Sequence, residues 1–398
     1  MAAKLGPRLA DRPPWTPTPA ELWSKVAVGN VDFENDFHAD TPGSDLIKKA
    51  ILDNDTRPLY LEAWGGTNTI ARALKSIEDE YNSTSSWSAV QAKVNQKAVI
   101  AALGMQDNAY ADYIGKSWPK VKLYNMGGGP GCSAVPANAV YCSPEYWTPL
   151  KYSHGPLIEA RSFFGDGTYH VSEEGITSNG IHNWEPGQAK DMETFRLYNR
   201  GDKHQRMEFA GEGDSPTFLF LLNNGLRATQ DPSLGSWGGR YKPSDTIPTT
   251  YNGQADVNPE TGTASSGYAS QRWTPEMQND FAGRIEWGAS PAFTDANHNP
   301  VVKLANSDLT GKAGKTVEVS AKVTDPDGDN VKLNWSVYTD ASTVTSPVAA
   351  VQNPTSKTAY VTIPDGAKSA ERIVVVLTVT DKGTPALSKY GEVVITVK

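Results

Sequence analysis

Two carboxylates, Glu212 and Asp214, stand two residues apart in the run GEGDSP, directly before the apolar stretch TFLFLL. At the start of a helix such a pair could bind a metal ion, activate water or accept hydrogen bonds from sugar hydroxyls, and the helix dipole would keep it ionised. The alternative is a capping turn, for which Asp214 or Ser215 alone suffices. The run GDSP does not match the G-x-S-x-G elbow, so Ser215 is a weak candidate nucleophile.

A second group of polar residues follows the ends of two predicted strands. The run WGGTNT offers the indole of Trp64, a close backbone approach at its glycines, the hydroxyl of Thr67 and the amide of Asn68, and Gln106 with Asp107 follows the next strand. Residues from successive turns of a parallel sheet face one crevice. This set suits a ribose or polyol pocket, and tight strand–helix packing is the alternative for the glycines.

Two further runs are candidates for the rim of the same crevice. The glycine-rich run SWGGR, with Trp237 and Arg240, predicts either a pocket lid or an ordinary surface turn. The run Gln278–Asp280, which contains Asn279, either lines the crevice or caps a helix. The structural alternative is the better supported one in both cases.

The turn Asp325-Pro-Asp-Gly-Asp329 places carboxylates at alternate positions. Hard oxygen clusters of this kind suit calcium, but the run lacks the spacing of an EF-hand loop. A plain turn uses Asp and Gly in the same way for local hydrogen bonds, and it is the alternative interpretation.

Short apolar runs alternate with helical patterns in the first part of the chain. Strands are predicted at RPLYLEAW (57–64), KAVIAALGM (97–105) and KVKLYNM (120–126), and helices at 67–81 and in AYADYIGKSW before Pro119. This alternation is typical of an α/β protein with a mostly parallel sheet.

The residue pattern changes twice in the remainder of the chain. The pattern of residues 130–205 predicts a long irregular insertion. Helices are predicted at residues 216–226 and 272–290. From about residue 298 to Lys398, short β-type runs separated by turn signals predict an immunoglobulin-like sandwich. We therefore expect an α/β domain over 1–297 and an all-β domain over 298–398.

Composition excludes several classes of function. The 398 residues include 37 Lys and Arg against 45 Asp and Glu, a net charge of −8 that argues against nucleic acid as a partner. No run reaches the roughly 18–20 apolar residues of a membrane span, so no membrane partner is expected. The six His form no HExxH pair, which argues against a zinc enzyme.

Cys132 and Cys142 lie in a run rich in Gly, Pro, Ala and Ser. A disulfide between them would stabilise this loop and would favour an oxidising compartment, and two free thiols are the alternative. The N-terminal run has no apolar h-region, so no signal peptide is expected in this chain.

The chain resembles the cellulose-binding-protein family over most of its length from about residue 15. The motifs that carry the resemblance are WGGTNTIARAL, the QD turn, GEGDSPTFLFLLNNGLR, SWGGRY, QNDFAGRIEW followed by ANHNP, and DPDGD before NWSVYTDA. The resemblance implies a nucleoside-hydrolase-like domain followed by an immunoglobulin-like domain. It also implies secretion and a link to plant polysaccharide or nucleoside breakdown.

Nucleoside hydrolases use a bound calcium ion to orient the ribose diol and a water molecule, and an aspartate takes the proton of that water. By resemblance, Asp214 matches a calcium ligand, Asn68 lies in a TN turn, and Gln106 and Asp107 fall near the strand end beside the metal. Ca²⁺ is therefore the expected cofactor. No D-x-D-x-x-x-D-D run precedes Trp64. The resemblance thus implies an α/β domain without its first strands, a weak calcium site and an impaired hydrolase.

The first hypothesis is a hydrolase of N-glycosyl or glycosyl bonds that acts on a nucleoside or carbohydrate. Asp214 and Asp107 would be metal ligands and, with Glu212, the catalytic carboxylates. The predicted substrate contacts are Trp64, Thr67, Asn68, Gln106, Trp237 and Asn279.

Two other hypotheses use different residues. A non-catalytic protein that binds cellulose or another plant polysaccharide would use Trp64, Trp237 and Trp335 as stacking platforms. A glycoside hydrolase would pair Glu212 with Asp107 or Asp280.

Overall fold

The computed structural model describes residues 18–127, 135–153, 158, 163, 207–209, 213–290, 292–344 and 347–398. These residues fall into two compact units. The first takes its residues from Pro14–Pro130 and Gly213–Ser270, and the second from Gly131–Glu212 and Gln271–Lys398. The second unit thus joins residues on both sides of position 297, and the division of the chain at 297 stays a prediction.

Helices and strands are numbered along the chain. The helices are α1 (Pro19–Trp23), α2 (Pro42–Leu52), α3 (Asn68–Tyr81), α4 (Trp87–Lys97), α5 (Gly115–Ser117), which continues a π-helical turn at Tyr110–Ile114, α6 (Pro144–Ser153), α7 (Pro216–Leu219), α8 (Tyr268–Gln271) and α9 (Thr274–Ala289). The strands of the first unit are β1 (Leu59–Ala63), β2 (Ala98–Leu103), β3 (Lys122–Met126), β4 (Tyr241–Pro243), β5 (Thr250–Gly253), β6 (Asp256–Val257) and β7 (Ala264–Ser265). Those of the second unit are β8 (Val301–Leu304), β9 (Asp308–Gly311), β10 (Thr316–Thr324), β11 (Val331–Val337), β12 (Ala350–Gln352), β13 (Thr358–Thr362), β14 (Arg372–Asp381) and β15 (Ser388–Val397).

A five-stranded sheet with the order β1-β2-β3-β5-β4 organises the first unit. The pairs β1–β2, β2–β3 and β3–β5 are parallel, and β4 runs antiparallel to β5. Both faces of β2 are buried, which explains the uninterrupted apolar run AVIAAL. The mostly parallel α/β sheet predicted from the alternating pattern is confirmed.

Helix α3 shows how the apolar spacing of the sequence is used. Ile70, Leu74 and Ile77 recur every three or four residues and are all buried in a core that also contains Ile100 of β2. The helix expected at 67–81 is therefore confirmed. Four residues separate the end of β1 from Asn68, the first residue of α3. This short connection places the start of α3 at the carboxyl end of β1.

The predicted helix at 216–226 is wrong in length, because α7 ends at Leu219. The chain then turns at Asn224, whose Oδ1 accepts the backbone N–H of Leu226 at 3.1 Å, and Gly225 has a φ of 104°. Phe220 packs instead against Tyr124 and Tyr241 as part of the sheet core. Burial of these apolar side chains outweighs the helical tendency of the run, and a four-residue helix supplies little dipole at Asp214.

The second unit contains two four-stranded sheets with the orders β12-β13-β10-β8 and β11-β14-β15-β9. Their pairs are antiparallel except for β15–β9. Trp335, Val361 and Leu377 belong to the apolar core of this unit. The predicted all-β region of immunoglobulin type is confirmed. Helix α9, predicted from its four-residue apolar spacing, is confirmed at Thr274–Ala289.

Cys142 ends a 3₁₀ helix at Pro136–Cys142 and is disulfide-bonded. Cys132, the one other cysteine of the sequence, lies outside the described residues, as does most of the predicted insertion at 130–205. Among the described residues, no helix has the length and apolar character needed to cross a membrane.

Candidate functional site

The carboxylate of Asp107 joins two segments at the carboxyl ends of β1 and β2. Oδ1 accepts hydrogen bonds from the Thr67 hydroxyl at 3.0 Å and from the Ala109 backbone N–H at 3.1 Å, and Oδ2 accepts the backbone N–H of Asn68 at 3.2 Å. The side chain is 9 % exposed. Both oxygens therefore serve to hold the first turn of α3 against the loop that follows β2.

Gly66 makes this arrangement possible. A Cβ at this position would lie 2.0 Å from Oδ2 of Asp107, far inside van der Waals contact. Of the two interpretations of this glycine, tight packing is the one that the geometry supports. Thr67 is buried and its hydroxyl is used by Asp107, so it is not available to a substrate.

Trp64, one residue beyond β1, is an exposed aromatic residue at this edge. Its side chain is 55 % exposed, while its Nε1 donates to the Thr217 hydroxyl at 2.7 Å. The ring of Phe218 lies 6.2 Å away at an interplanar angle of 55° and is itself partly exposed. The indole is thus anchored at its polar end and open to solvent on its apolar surface.

Asp214 is partly exposed in the turn before α7. Its backbone carbonyl accepts hydrogen bonds from the Thr217 hydroxyl at 2.9 Å and from the Thr217 backbone N–H at 3.2 Å. The same hydroxyl accepts the hydrogen bond of Trp64. A Cβ on Gly213 would lie 3.4 Å from the Leu103 side chain at the end of β2. The segments of Trp64, Asp107 and Asp214 therefore meet at one edge of the sheet.

Asn68 and Gln106 supply polar groups at this edge. The Asn68 Nδ2 donates to the carbonyl of Phe33 at 3.3 Å, and its buried Oδ1 has no hydrogen-bond partner among the described residues. Gln106 is exposed and its Nε2 donates to the carbonyl of Leu103 at 3.1 Å. An unpaired amide oxygen is a ready acceptor for a hydroxyl group.

The loop before α2 also reaches this edge, which the sequence patterns did not indicate. Asn35 adopts a φ of 63°, and its Oδ1 accepts the backbone N–H of Asn108 at 2.8 Å. Asn30 donates its backbone N–H to the Thr69 hydroxyl at 2.9 Å. The loop has no apolar periodicity, and the left-handed tendency of Asn is the one local signal it carries.

Burial removes two tryptophans from the predicted stacking platform. Trp237 is 2 % exposed, and its carbonyl accepts the Ser270 hydroxyl at 2.6 Å. Trp335 is 1 % exposed in the core of the sandwich, where its Nε1 donates to the carbonyl of Ser356. Neither ring has a free face for a saccharide, so Trp64 is the one member of the predicted set with an exposed surface.

The run SWGGR is an internal packing element and neither a lid nor a surface turn. A Cβ on Gly238 would lie 2.4 Å from the carbonyl of Pro216 in α7. The Arg240 guanidinium is buried and forms an ion pair with the fully buried Asp256 at 2.6 Å. Close backbone approach excludes a side chain at Gly238, and Gly239 has a φ of 97°, so a glycine is needed at both positions.

Asn279 and Asp280 belong to helix α9 in the second unit. The Oδ1 of Asn279 accepts the Tyr146 hydroxyl at 2.6 Å, and the carboxylate of Asp280 pairs with Arg284 at 2.6 Å. Both contacts are structural. Glu212 lies outside the described residues, so its predicted role stays a prediction.

The residues described at this edge do not fit a calcium site. Both oxygens of Asp107 already accept hydrogen bonds from internal donors, and Ca²⁺ requires six to eight oxygen ligands. In the described part of the chain, no group of three or more His, Cys, Asp and Glu side chains is placed to hold a metal ion. No catalytic step through calcium follows from these residues.

Comparison with known proteins agrees with this architecture. Residues 3–241 match the model of the family described as Cellulose-binding Sde182, nucleoside hydrolase-like domain, and residues 316–397 match Cellulose-binding protein Sde0182, C-terminal domain. No curated protein matches the chain.

Solved structures give the same result. A nucleoside hydrolase-related hypothetical protein from Saccharophagus degradans, associated with carbohydrate metabolism, is 26% identical and aligns over 100% of this chain and 86% of that chain, with a TM-score of 0.71. The PKD domain from the KIAA 1837 protein is 21% identical over 23% of this chain and 79% of that chain, with a TM-score of 0.17. Because the first family model spans more than half of the chain, the protein belongs to the Sde182 cellulose-binding family with a nucleoside hydrolase-like domain.

Proposed function

We propose that this protein binds a plant-polysaccharide chain, such as cellulose, at the edge formed by Trp64, Asn68 and Phe218. The observation that carries the proposal is the half-exposed indole of Trp64, which is held in place by its own N–H. Stacking on a sugar ring requires an open aromatic face, and a fixed ring loses little conformational freedom on binding. The family name and the carbohydrate-linked relative support the same class of ligand.

Polar groups beside the indole suit saccharide hydroxyls. The exposed Gln106 offers an amide. Glu62 lies two residues before Trp64, and burial raises the pKa of its carboxyl. A few oriented polar groups beside an apolar surface are the usual composition of a small-molecule site.

Depletion of the full chain by insoluble cellulose tests this proposal. Wild-type protein should be removed from solution, and Trp64→Ala should remain in solution. Trp23→Ala is the matched control, because Trp23 is another strongly exposed tryptophan among the described residues of the same unit, at 69 % exposure. Equal depletion of wild type and Trp64→Ala would contradict the proposal.

Hydrolysis of an N-glycosyl bond is the second candidate function. It is favoured by the likeness to a nucleoside hydrolase-related protein and by the position of the Asp214 turn at the same edge as Trp64. Release of free base from a nucleoside with Ca²⁺ in excess would support it, provided that Asp214→Asn abolishes the release. No release from the wild type would exclude it for that substrate.

Secretion is part of the proposal and rests on the disulfide at Cys142, since disulfides persist in oxidising compartments. Immunodetection in the medium of the native host should find the protein outside the cells. Detection in the cell interior alone would contradict secretion.

A further inference from the structure

Three side chains from separate segments of the second unit meet at one end of the sandwich. Asp381 ends β14 and pairs in register with Val331, the first residue of β11, which follows the turn of Asp325. Asn297 precedes β8, and its Nδ2 donates to Asp381 Oδ1 at 3.1 Å. The cluster therefore consists of Asn297, Asp325 and Asp381.

One oxygen of each carboxylate is fully used by the backbone. Oδ1 of Asp381 accepts the N–H groups of Leu387 at 2.9 Å and Gly383 at 3.0 Å, in addition to Asn297. Oδ1 of Asp325 accepts the N–H groups of Asp327 and Asp329, both at 3.0 Å. These bonds fix the direction of both carboxylates before any ligand binds.

The remaining oxygens have no partner in the described part of the chain. Oδ2 of Asp381, Oδ2 of Asp325 and Oδ1 of Asn297 are all buried and accept no hydrogen bond from a described residue. Asp381 is 3 % exposed and Asn297 8 %. An unpaired buried carboxylate oxygen is costly, so three such acceptors in one cluster call for a positively charged ligand.

Electrostatics point in the same direction. The carboxylates of Asp325 and Asp381 lie close enough to interact electrostatically. Two neighbouring carboxylates repel one another, and a cation between them would relieve both the repulsion and the desolvation. A single water molecule has two protons to donate and would leave one of the three acceptors unsatisfied.

The neighbouring residues are built to keep the cluster in place. A Cβ on Gly383 would lie 2.2 Å from the amide of Asn297, so a glycine is required for Asn297 to occupy this position. Asp327 does not belong to the cluster, because its carboxylate is paired with His298. His298 donates its backbone N–H to Asp327 Oδ2 at 2.7 Å, and its Nδ1 lies 3.1 Å from Asp327 Oδ1. The ring of His298 stacks on Phe293 with centroids 3.6 Å apart.

We propose that Asn297, Asp325 and Asp381 bind one calcium ion at the end of the β-sandwich. All three free atoms are hard oxygens, the ligands that Ca²⁺ prefers, and the site contains no nitrogen or sulfur ligand that would select zinc. Two carboxylates and one amide oxygen leave the other coordination positions to water. Because the ligands carry little charge, we expect the weak calcium affinity of extracellular calcium-binding modules, with a Kd of about 0.1–1 mM.

Calorimetric titration of the chelator-treated full chain with CaCl₂ tests this site. The wild type should bind one ion per chain in the range of about 0.1–1 mM. Asp325→Asn and Asp381→Asn should each weaken binding at least about tenfold, since each removes a charged ligand. Asp365→Asn, an exposed carboxylate of the same unit, is the charge-matched control and should bind as the wild type does.

A second control separates this site from the other unit. Asp245→Asn, which neutralises an exposed carboxylate of the first unit, should leave calcium binding unchanged, and a loss in that variant would overturn the assignment. Absence of saturable binding by the wild type up to about 10 mM Ca²⁺, or unchanged binding by Asp325→Asn, would also overturn it.

Circular dichroism of each variant reports whether it is folded. If Asp381→Asn does not fold, the more exposed Asp325 decides the question alone. A crystal of the wild type grown with CaCl₂ gives an independent answer. Calcium should lie about 2.3–2.6 Å from the three oxygens, and a water or a proton shared between the carboxylates would contradict the proposal.

Discussion

The indole Nε1 of Trp64 donates a hydrogen bond of 2.7 Å to the hydroxyl of Thr217, a residue 153 positions later in the chain. This bond fixes an exposed aromatic ring at the carboxyl edge of the sheet and ties it to the turn of Asp214. A ring that was free to rotate would lose side-chain entropy on binding a saccharide, whereas the anchored ring is already in position.

Replacement of Thr217 by Val should therefore weaken saccharide binding without altering the aromatic surface. Loss of one hydrogen bond that orients the ring predicts a decrease in affinity of about 2- to 12-fold. Titration calorimetry with a soluble cello-oligosaccharide measures it, and Thr310→Val, at an exposed position of β9, is the control. An unchanged affinity would show that the anchor contributes nothing.

Gly66→Ala should destabilise the first unit by about 1–3 kcal/mol, because its Cβ would overlap the carboxylate of Asp107. In the Asp107→Ala background the same substitution should cost less, and the coupling free energy from urea unfolding of the four proteins should reach about 1 kcal/mol. Gly65→Ala is the control, since a Cβ there meets nothing within 4 Å. Additive effects would refute the proposed overlap.

The buried ion pair between Arg240 and Asp256 should be essential to the first unit. Asp256→Ala leaves the Arg240 guanidinium buried without this partner, and we expect a loss of about 3–5 kcal/mol in the free energy of unfolding. Asp245→Ala removes an exposed carboxylate nearby in sequence and should change stability by less than about 0.5 kcal/mol. Similar urea midpoints for the two variants would contradict this assignment.

Glu276 in α9 should make stability depend on pH. Burial raises the pKa of its carboxyl to about 7, although the Arg272 charge acts in the opposite direction, and its Oε2 has no hydrogen-bond partner among the residues that the structure describes. The folded state then binds a proton more tightly than the unfolded state. The free energy of unfolding should fall as pH rises from about 4.5 to 7, by at most about 3 kcal/mol.

Glu276→Gln removes this dependence. The variant should be more stable than the wild type at pH 8 and close to it at pH 4, as measured by urea unfolding across the range. Glu318→Gln, at an exposed position of β10, should keep the wild-type profile. A Glu276→Gln profile parallel to that of the wild type would show that Glu276 titrates normally in the folded state.

Local sequence patterns determined the secondary structure of this protein where apolar spacing and turn residues agreed. The four-residue spacing in α9, the apolar run of β2 and the short alternating runs of the sandwich each predicted the observed element. The order of strands and helices also predicted the parallel sheet, because crossover connections leave few alternatives. The edge that gathers Trp64, Asp107 and Asp214 followed from the same rule.

The use of each polar or aromatic side chain was decided by tertiary contacts. Asp107 looks like a free carboxylate in the sequence, but three donors from the turns around it occupy its oxygens. Trp237 looks like a lid residue, but packing of its loop against α7 buries the ring. Which groups remain open to a ligand depends on contacts between residues far apart in the chain, and residue type and spacing do not encode those contacts locally.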